Sequence, residues 1–261
     1  MRKRNRTREE GLPRGIYILP NLFTSMNLFC GFYAAISAIG GSYVKAAVGI
    51  LIAVVFDALD GKIARATKTT SRFGVEYDSL ADVVSFGLAP GLMMHMWALQ
   101  PLGRIGWLAA FLFMTCGALR LARFNTQAGS VSSEHFVGLP IPAGAAMVAT
   151  TVLLCYRLGI GSDVNRILML IMLYWLSFLM VSSIRYNSFK KPELFRKMNF
   201  NMLVAAILVM IFIAAHPSIA LFLISIGYVL SGPFTSILRH RTMKRKKAEA
   251  LTAEEHRSSP V

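Results

Sequence analysis

Four aspartates stand in two close pairs within otherwise apolar sequence. Asp57 and Asp60 close one apolar stretch, and Asp78 and Asp82 open the next one. Separations of three and four residues place the two members of each pair on one face of a helix. Because an ionised carboxylate is costly in hydrocarbon, acids in such stretches face a protein cavity and usually carry function.

The chemistry predicted for these four residues is binding of divalent metal. A short turn between the pairs makes the two helices antiparallel neighbours, with all four carboxylates at one end. Four like charges repel strongly in a low dielectric unless cations neutralise them. Mg²⁺ and Mn²⁺ prefer oxygen ligands, and transfer of a phosphate-bearing group requires one or two such ions. Placement at a helix N-terminus would explain Asp78 and Asp82, but it does not explain the other pair.

Small and basic residues accompany the aspartates. Gly61, Ala64 and Gly74 lie on or beside the acidic faces, where a large ligand or another backbone could approach closely. Arg65 lies one turn beyond Gly61 and could bind a phosphate through two hydrogen bonds. An arginine there could also be a topology anchor, but its place beside four acids and a glycine favours ligand contact.

Eight apolar stretches have the length, or nearly the length, of a membrane-spanning helix. The 261 residues are 55% hydrophobic and 16% charged, which excludes an ordinary soluble domain. A span needs about 20 apolar residues. The predicted spans are roughly 17–39, 43–60, 75–99, 103–122, 138–157, 165–184, 200–215 and 217–236. Only His216 and Pro217 separate the last two, and proline favours a helix start, so we expect a hairpin.

The basic residues predict the orientation of these spans. With eight spans both termini share one side, and 24 of the 28 lysines and arginines fall on it. This asymmetry places both tails in the cytoplasm. The net charge of +15 could indicate nucleic acid, but basic residues gathered in tails and short gaps are typical of a membrane protein. We therefore expect anionic membrane lipids, and no nucleic acid, as partners of the tails.

The predicted fold is an all-α, polytopic membrane helix bundle of about eight transmembrane helices, with both termini cytoplasmic. Residues 1–15 and 239–261 are expected to be basic cytoplasmic tails, and residues 16–238 the transmembrane catalytic domain. The aspartates lie at the cytoplasmic ends of their helices. The expected location is thus the cytoplasmic membrane, with the active site facing the cytoplasm.

The acidic motif resembles that of the CDP-alcohol phosphotransferase family. The stretch D-A-L-D-G-K-I-A-R at 57–65 is followed, after eight residues, by G-V-E-Y-D-S-L-A-D at 74–82. All eight fixed positions of the family pattern D-x-x-D-G-x-x-A-R, gap, G-x-x-x-D-x-x-x-D are present. The resemblance implies transfer of a substituted phosphate from a CDP-linked donor to an alcohol, with release of CMP. It places the family core at about 17–185, followed by an extra helical hairpin at about 200–236.

The same resemblance implies roles for the motif residues. The four aspartates would hold two divalent ions, Mg²⁺ or Mn²⁺, against the donor diphosphate, and Asp82 would also be the catalytic base. Gly61 and Ala64 would line the nucleotide, and Arg65 would contact phosphate. Ser71 would be a further polar contact to the donor, although a loop hydroxyl is often a helix cap.

The first predicted span is unusually polar, since it contains Pro20, Asn21, Thr24 and Asn27. These four residues are further candidates for contact with the nucleotide or the metal shell. A capped helix start at the membrane interface would look similar. With these four residues, the candidate donor-binding set is Pro20, Asn21, Thr24, Asn27, Gly61, Ala64, Arg65, Ser71 and Gly74.

Outside the motif, the sequence is similar to membrane-embedded members of the family that use L-serine as acceptor. The similar segments are L-P-N-L-F-T-S-M-N-L-F-C-G at 19–31, D-S-L-A-D-V-V-S-F-G-L-A-P at 78–90, G-A-L-R-L-A-R-F-N at 117–125 and F-V-G-L-P-I-P-A at 136–143. The resemblance implies CDP-diacylglycerol as donor, L-serine as acceptor and a homodimer. Glycerol 3-phosphate, inositol phosphate and choline are the alternative acceptors within the family.

Serine carries a carboxylate, so its site should supply a cation. Arg120 and Arg123 are candidates on one face at the cytoplasmic end of the fourth span, with Asn125 as a weaker one. The arginines could equally anchor that helix by extending to the interface. No motif residue is a free nucleophile, so we expect direct displacement without a phosphoenzyme. A divalent-cation transporter is the remote alternative, disfavoured because the acids lie at one rim beside Arg65.

Overall fold

The computed structural model describes residues 18–67, 71–127, 136–161, 165–186, 211 and 213–236. Within these ranges the chain is helical, apart from one pair of two-residue strands. The all-α expectation is therefore confirmed at the level of fold class. Both predicted tails, and most of the predicted span 200–215, lie outside the described residues; residues 211 and 213–215 of that span are helical.

The first two helices form an antiparallel hairpin. Helix α1 (Ile18–Ile39) turns at Gly40–Ser42 into α2 (Tyr43–Ala66), and these two helices share the most extensive contact in the described chain. Gly41 takes a positive φ of 73°, which glycine adopts without steric cost. Helix α2 continues six residues beyond the predicted span end at Asp60. Gly61 and Arg65 of the motif therefore lie on the same helix as Asp57 and Asp60.

The third span is one continuous helical path with two π segments. Helix α3 (Arg72–Asp82) leads into a π segment (Val83–Leu88), then α4 (Ala89–Met94), then a second π segment (His95–Leu99) and a 3₁₀ turn. The path begins three residues before the predicted span because Ser71 caps it, its Oγ accepting a 3.0 Å hydrogen bond from the Gly74 amide. π segments inside helices are rare and frequently lie at functional sites.

Glycines allow this path to approach its neighbours closely. A Cβ placed on Gly31 of α1 would overlap Ser85 Oγ and lie 2.5 Å from Ser85 Cα. A Cβ on Gly91 would lie 3.1 Å from the Ala110 carbonyl oxygen in the next helix. The first π segment is thus held against α1 by direct contact with the helix backbone.

The remaining helices enclose this core. Helix α5 (Arg104–Gln127) packs against α7 (Arg166–Val181), and α6 (Ile141–Arg157) packs against α2. Strand β1 (Phe136–Val137) pairs antiparallel with β2 (Arg185–Tyr186), which ties the chain before α6 to the end of α7. This strand pair was not predicted, because two residues are too few to show a periodicity. Helix α8 (Pro217–Ser236) begins at the proline, as expected.

Three described helices are long and apolar enough to cross a bilayer: Leu19–Ile39, Arg104–Thr126 and Pro217–Ser236. Helices α6 and α7 are apolar but shorter. Large apolar side chains lie on the outside of the bundle; Phe29, Phe178 and Phe234 are each more than 60% exposed. Such a surface is favourable in lipid and unfavourable in water. The chain is therefore a membrane protein.

The contact between Gly31 and Ser85 predicts a large stability effect. Gly31→Ala is expected to destabilise the folded protein by about 3 kcal/mol, since the added methyl group meets backbone that cannot move aside alone. Thermal unfolding in detergent measures the change. Gly40→Ala, directly after the same helix, serves as the control, because the added methyl group would lie 3.5 Å from its nearest neighbour, the Ile36 carbonyl oxygen. An unchanged melting temperature for Gly31→Ala would contradict the close packing.

Candidate active site

Three of the four aspartates converge at the junction of α2 and α3. Asp57 and Asp60 lie on α2 and Asp78 on α3, and each offers a carboxylate oxygen within 4.8 Å of those of the other two. The helical spacing predicted that the members of a pair share a face. Helix α1 contacts both α2 and α3, and the two pairs come together where α2 ends and α3 begins.

A hydrogen bond from α1 holds the second of these carboxylates. Thr24 Oγ1 donates to Asp60 Oδ2 at 2.9 Å, and both side chains are buried. The same hydroxyl lies 3.2 Å from the Pro20 carbonyl oxygen, one turn earlier in α1. Thr24 lines the cavity and contacts Asp60 directly. Its predicted contact with the nucleotide or the metal shell stays a prediction.

The fourth aspartate lies one turn deeper and has its own partner. Asp82 is 5% exposed, and Asn27 Nδ2 donates to its Oδ1 at 3.1 Å. Ser85 Oγ donates in turn to the backbone carbonyl of Asn27 at 3.0 Å. Because Ser85 belongs to the first π segment, that segment fixes the α1 residue which orients Asp82. Sequence reasoning identified Asn27 but not Ser85.

A cavity of about 540 Å³ opens beside the carboxylates. Its walls contain eight of the nine candidate donor-binding residues, all except Asn27, which lies behind them against Asp82. The complete lining is Pro20, Asn21, Thr24, Asp57, Ala58, Asp60, Gly61, Ala64, Arg65, Ser71, Gly74, Val75, Asp78 and Phe124. The volume lies within the usual range of small-molecule sites.

The carboxylate set fits a divalent metal ion. Asp78 Oδ1 is buried and has no hydrogen-bond partner among the described residues. A buried acceptor without a partner is costly, and three carboxylates at this spacing repel one another. A hard divalent cation would relieve both costs, because it takes oxygen ligands at this spacing. Asp57, Asp60 and Asp78 are the residues that would hold it.

Two motif residues shape the cavity wall. Gly61 has open space on its cavity side, since a Cβ there would meet only Arg65 Nη2, at 3.9 Å. The Arg65 side chain therefore folds back along α2 beside the glycine. Ser71 also lines the cavity while its hydroxyl caps α3. The structure therefore shows the helix cap, and contact of Ser71 with the donor stays a prediction.

The three serine-site candidates on α5 differ in their burial and in their contacts. Arg120 is half-buried, and its Nε is buried without a hydrogen-bond partner among the described residues. Arg123 is exposed. Asn125 donates to Ser79 Oγ at 2.9 Å and lies 3.5 Å from a Glu76 carboxylate oxygen, so it ties α5 to α3. None of the three lines the cavity.

Three residues that line the cavity were not among the sequence candidates: Ala58, Val75 and Phe124. Phe124 lies between two polar candidates on α5 and forms part of the wall. Its ring reaches the cavity although the residue is 51% exposed. An aromatic residue within a predicted span carries no signal that separates a lipid-facing ring from a ligand-facing one.

Comparison with known proteins agrees with this geometry. The model of the family described as CDP-alcohol phosphatidyltransferase matches residues 17–181, and the chain belongs to this family. A Helicobacter pylori protein named CDP-diacylglycerol–serine O-phosphatidyltransferase is 41% identical over 178 residues, which cover 68% of this chain and 75% of the relative. The archaetidylserine synthase of Methanothermobacter thermautotrophicus is 37% identical over 170 residues, covering 64% and 69%. A Mycobacterium tuberculosis protein with the same name as the first is 36% identical over 162 residues, covering 58% and 56%.

Proposed function

We propose that this chain transfers the phosphatidyl group of CDP-diacylglycerol to the hydroxyl of L-serine, giving phosphatidylserine and CMP. The observation that carries the proposal is the convergence of the motif aspartates on a cavity walled by the other motif residues. The choice of acceptor is supported by the relatives, whose names specify serine.

The reaction is a direct displacement at phosphorus. Asp82 takes the proton from the serine hydroxyl as its oxygen bonds to the phosphorus that carries diacylglycerol. The bond from that phosphorus to the bridging oxygen breaks, and CMP leaves with the electron pair. Asn27 orients the carboxylate through its hydrogen bond to Oδ1. Divalent metal held by Asp57, Asp60 and Asp78 would offset the charge of the diphosphate.

The donor occupies the 540 Å³ cavity. Gly61 and Ala64 lie against the nucleotide, Arg65 contacts phosphate, and Ser71 contributes a hydroxyl. The N-terminal part of α1 and Gly74 close the opposite wall. Two ions, Mg²⁺ or Mn²⁺, fit the four carboxylates if Asp82 contributes to the second ion as well as acting as base. The direct route needs no covalent enzyme adduct.

The acceptor lies on the Arg120 side of Asp82. The half-buried guanidinium of Arg120, whose Nε has no hydrogen-bond partner among the described residues, would bind the serine carboxylate while the hydroxyl reaches Asp82. Arg123 and Asn125 are weaker candidates, because one is exposed and the other is engaged with α3.

Membrane placement follows from the charge pattern. We place the protein in the cytoplasmic membrane with eight spans, both basic tails (1–15 and 239–261) in the cytoplasm and the active site facing it. The transmembrane catalytic domain is then 16–238, with the family core at about 17–185 and a hairpin at about 200–236. A homodimer is the expected assembly.

The proposal is tested by CMP release from the purified full-length protein. Detergent-solubilised protein is given CDP-diacylglycerol and Mg²⁺ or Mn²⁺, with L-serine or, separately, glycerol 3-phosphate, inositol phosphate or choline. Release with serine alone, lost on chelation, is the expected result. Release with another alcohol only would replace the acceptor while keeping the reaction type. Folded protein that releases CMP with none of them would overturn the proposal.

Gly61→Ala is expected to impair use of the donor without destabilising the fold. The protein leaves room for the methyl group, and alanine favours a helix over glycine by up to about 1 kcal/mol. In the occupied cavity the methyl group would meet the nucleotide, so the KM for CDP-diacylglycerol should rise about tenfold. Gly161→Ala, which also meets open space, is the control. An unchanged KM would place the nucleotide elsewhere.

A further inference from the structure

Helix α5 contributes one side chain, that of Phe124, to the described wall of the cavity beside the carboxylates. Helices α1, α2 and α3, with the serine that caps α3, supply the rest of that lining. Phe124 is also the one aromatic residue among the described residues that line the cavity. It is 51% exposed, so a bound ligand can reach its ring. None of the donor contacts proposed above involves this ring.

A chain of two hydrogen bonds joins this part of α5 to α3. Asn125 Nδ2 donates to Ser79 Oγ at 2.9 Å, and Ser79 Oγ donates to the Val75 carbonyl oxygen at 3.0 Å. Val75 itself lines the cavity. The residue next to Phe124 is therefore tied to an α3 residue of the same wall, and this tie holds the end of α5 at the cavity.

The surroundings of Phe124 indicate which part of CDP-diacylglycerol meets it. The diphosphate requires cations, which a phenyl ring does not supply, and the acyl chains require hydrocarbon. Phe124 lies close to the end of α5 at Gln127, and its neighbours Arg123 and Thr126 are exposed. A charged side chain is costly in hydrocarbon, so this end of α5 lies at the water-facing edge of the membrane. The nucleotide is the part of the donor expected there, and its cytosine base has a flat face that stacks on aromatic rings.

We propose that Phe124 binds the cytosine base of CDP-diacylglycerol by stacking, and that Asn125 is a positioning residue that holds Phe124 at the cavity. The inference rests on the proposed function, in which a CDP-linked donor occupies the cavity. Small residues in the same lining, Gly61, Ala64 and Gly74, leave room for a planar base. Asn125 then serves the donor site and not the acceptor site.

The test is equilibrium binding of CMP, with Mg²⁺ or Mn²⁺, to the full-length protein in detergent, because CMP carries the base without the lipid. For Phe124→Ala, the Kd for CMP and the KM for CDP-diacylglycerol should each rise about tenfold through loss of the stacking contact. Phe124→Tyr keeps an aromatic ring and should bind CMP within about threefold of wild type. Phe124→Leu is apolar without being aromatic, and it should bind CMP nearly as weakly as Phe124→Ala.

A double-mutant cycle tests the role of Asn125. Asn125→Ala should raise the Kd for CMP about threefold in the wild-type background and change it little in the Phe124→Ala background, because Asn125 acts through the ring. The KM for L-serine should stay within about twofold of wild type in both single variants, which a general loss of structure would not achieve. Phe111→Ala is the matched control: this phenylalanine is exposed on the same helix but does not line the cavity, so CMP binding should be unchanged.

Equal binding of CMP by Phe124→Ala and wild type would overturn the inference. A higher KM for CDP-diacylglycerol without a higher Kd for CMP would also overturn it, because the ring would then contact the lipid part of the donor. If Asn125→Ala raised the KM for serine instead, Asn125 would belong to the acceptor site. A wild-type protein that neither binds CMP nor releases it from CDP-diacylglycerol would overturn the proposed function as well. An active wild type whose Phe124 variants all bind CMP equally would overturn the inference alone.

Discussion

Replacing Asp82 by asparagine is expected to lower the rate of CMP release by about 10²–10⁴-fold, the usual contribution of a general base. Asparagine keeps the shape of the side chain and an oxygen that can accept the 3.1 Å hydrogen bond from Asn27. The substitution therefore removes the ability to take a proton while the surrounding structure stays in place. Initial rates at saturating CDP-diacylglycerol and L-serine measure the effect.

Donor binding should survive this change. Stabilisation of the protein by CDP-diacylglycerol in thermal unfolding should be similar for Asp82→Asn and wild type, because Asp82 does not line the donor cavity. Glu76→Gln, an exposed acid on the same helix, is the control and should keep nearly full activity. An Asp82→Asn protein with more than a tenth of the wild-type rate would remove Asp82 from the role of base.

Asp78→Asn is expected to separate metal binding from folding. Loss of a ligand that offsets diphosphate charge should lower the rate by about 10²–10³-fold, because metal ions contribute several kcal/mol to such reactions. In the presence of a chelator, however, the variant should unfold at a temperature equal to or higher than that of wild type. The reason is that one of three mutually repelling carboxylates has been neutralised.

A metal titration distinguishes this variant from the Asp82 variant. The metal concentration needed for half of the maximal rate should rise for Asp78→Asn, and thermal stabilisation by Mg²⁺ or Mn²⁺ should weaken. For Asp82→Asn this midpoint should rise less than for Asp78→Asn, because Asp82 would contribute to the second ion only, and the loss of the base should lower the maximal rate. A lower melting temperature for Asp78→Asn in chelator would mean that Asp78 stabilises the fold by some contact other than metal binding.

The sequence predicted the acidic cluster because its signal is local. Spacings of three and four residues determine which side chains share a helix face, and a short turn determines that α2 and α3 are neighbours. The end of α2 was placed too early, at Asp60 instead of Ala66. Hydropathy falls where charged residues begin, but the backbone hydrogen bonds of a helix do not require apolar side chains.

The hydrogen-bond partners of the aspartates could not be predicted from the spacing of nearby residues. Thr24 and Asp60 are 36 residues apart, and Asn27 and Asp82 are 55 apart. The polar residues of α1 were recognised as unusual for a span, but which carboxylate each would contact depends on how α1 packs.

The two π segments of the third predicted span make its packing depend on the number of residues in the span. Each residue of a helix turns the following part by about 100°, so deleting one residue from Val83–Leu88 would rotate α4 relative to α3. Gly91 would then no longer face Ala110, and α5 would lose the close contact that seats it. The stretch between α3, which carries Asp78 and Asp82, and α5, which carries Arg120, therefore tolerates substitutions more readily than a change in length. Insertions and deletions here should therefore be rare among functional variants.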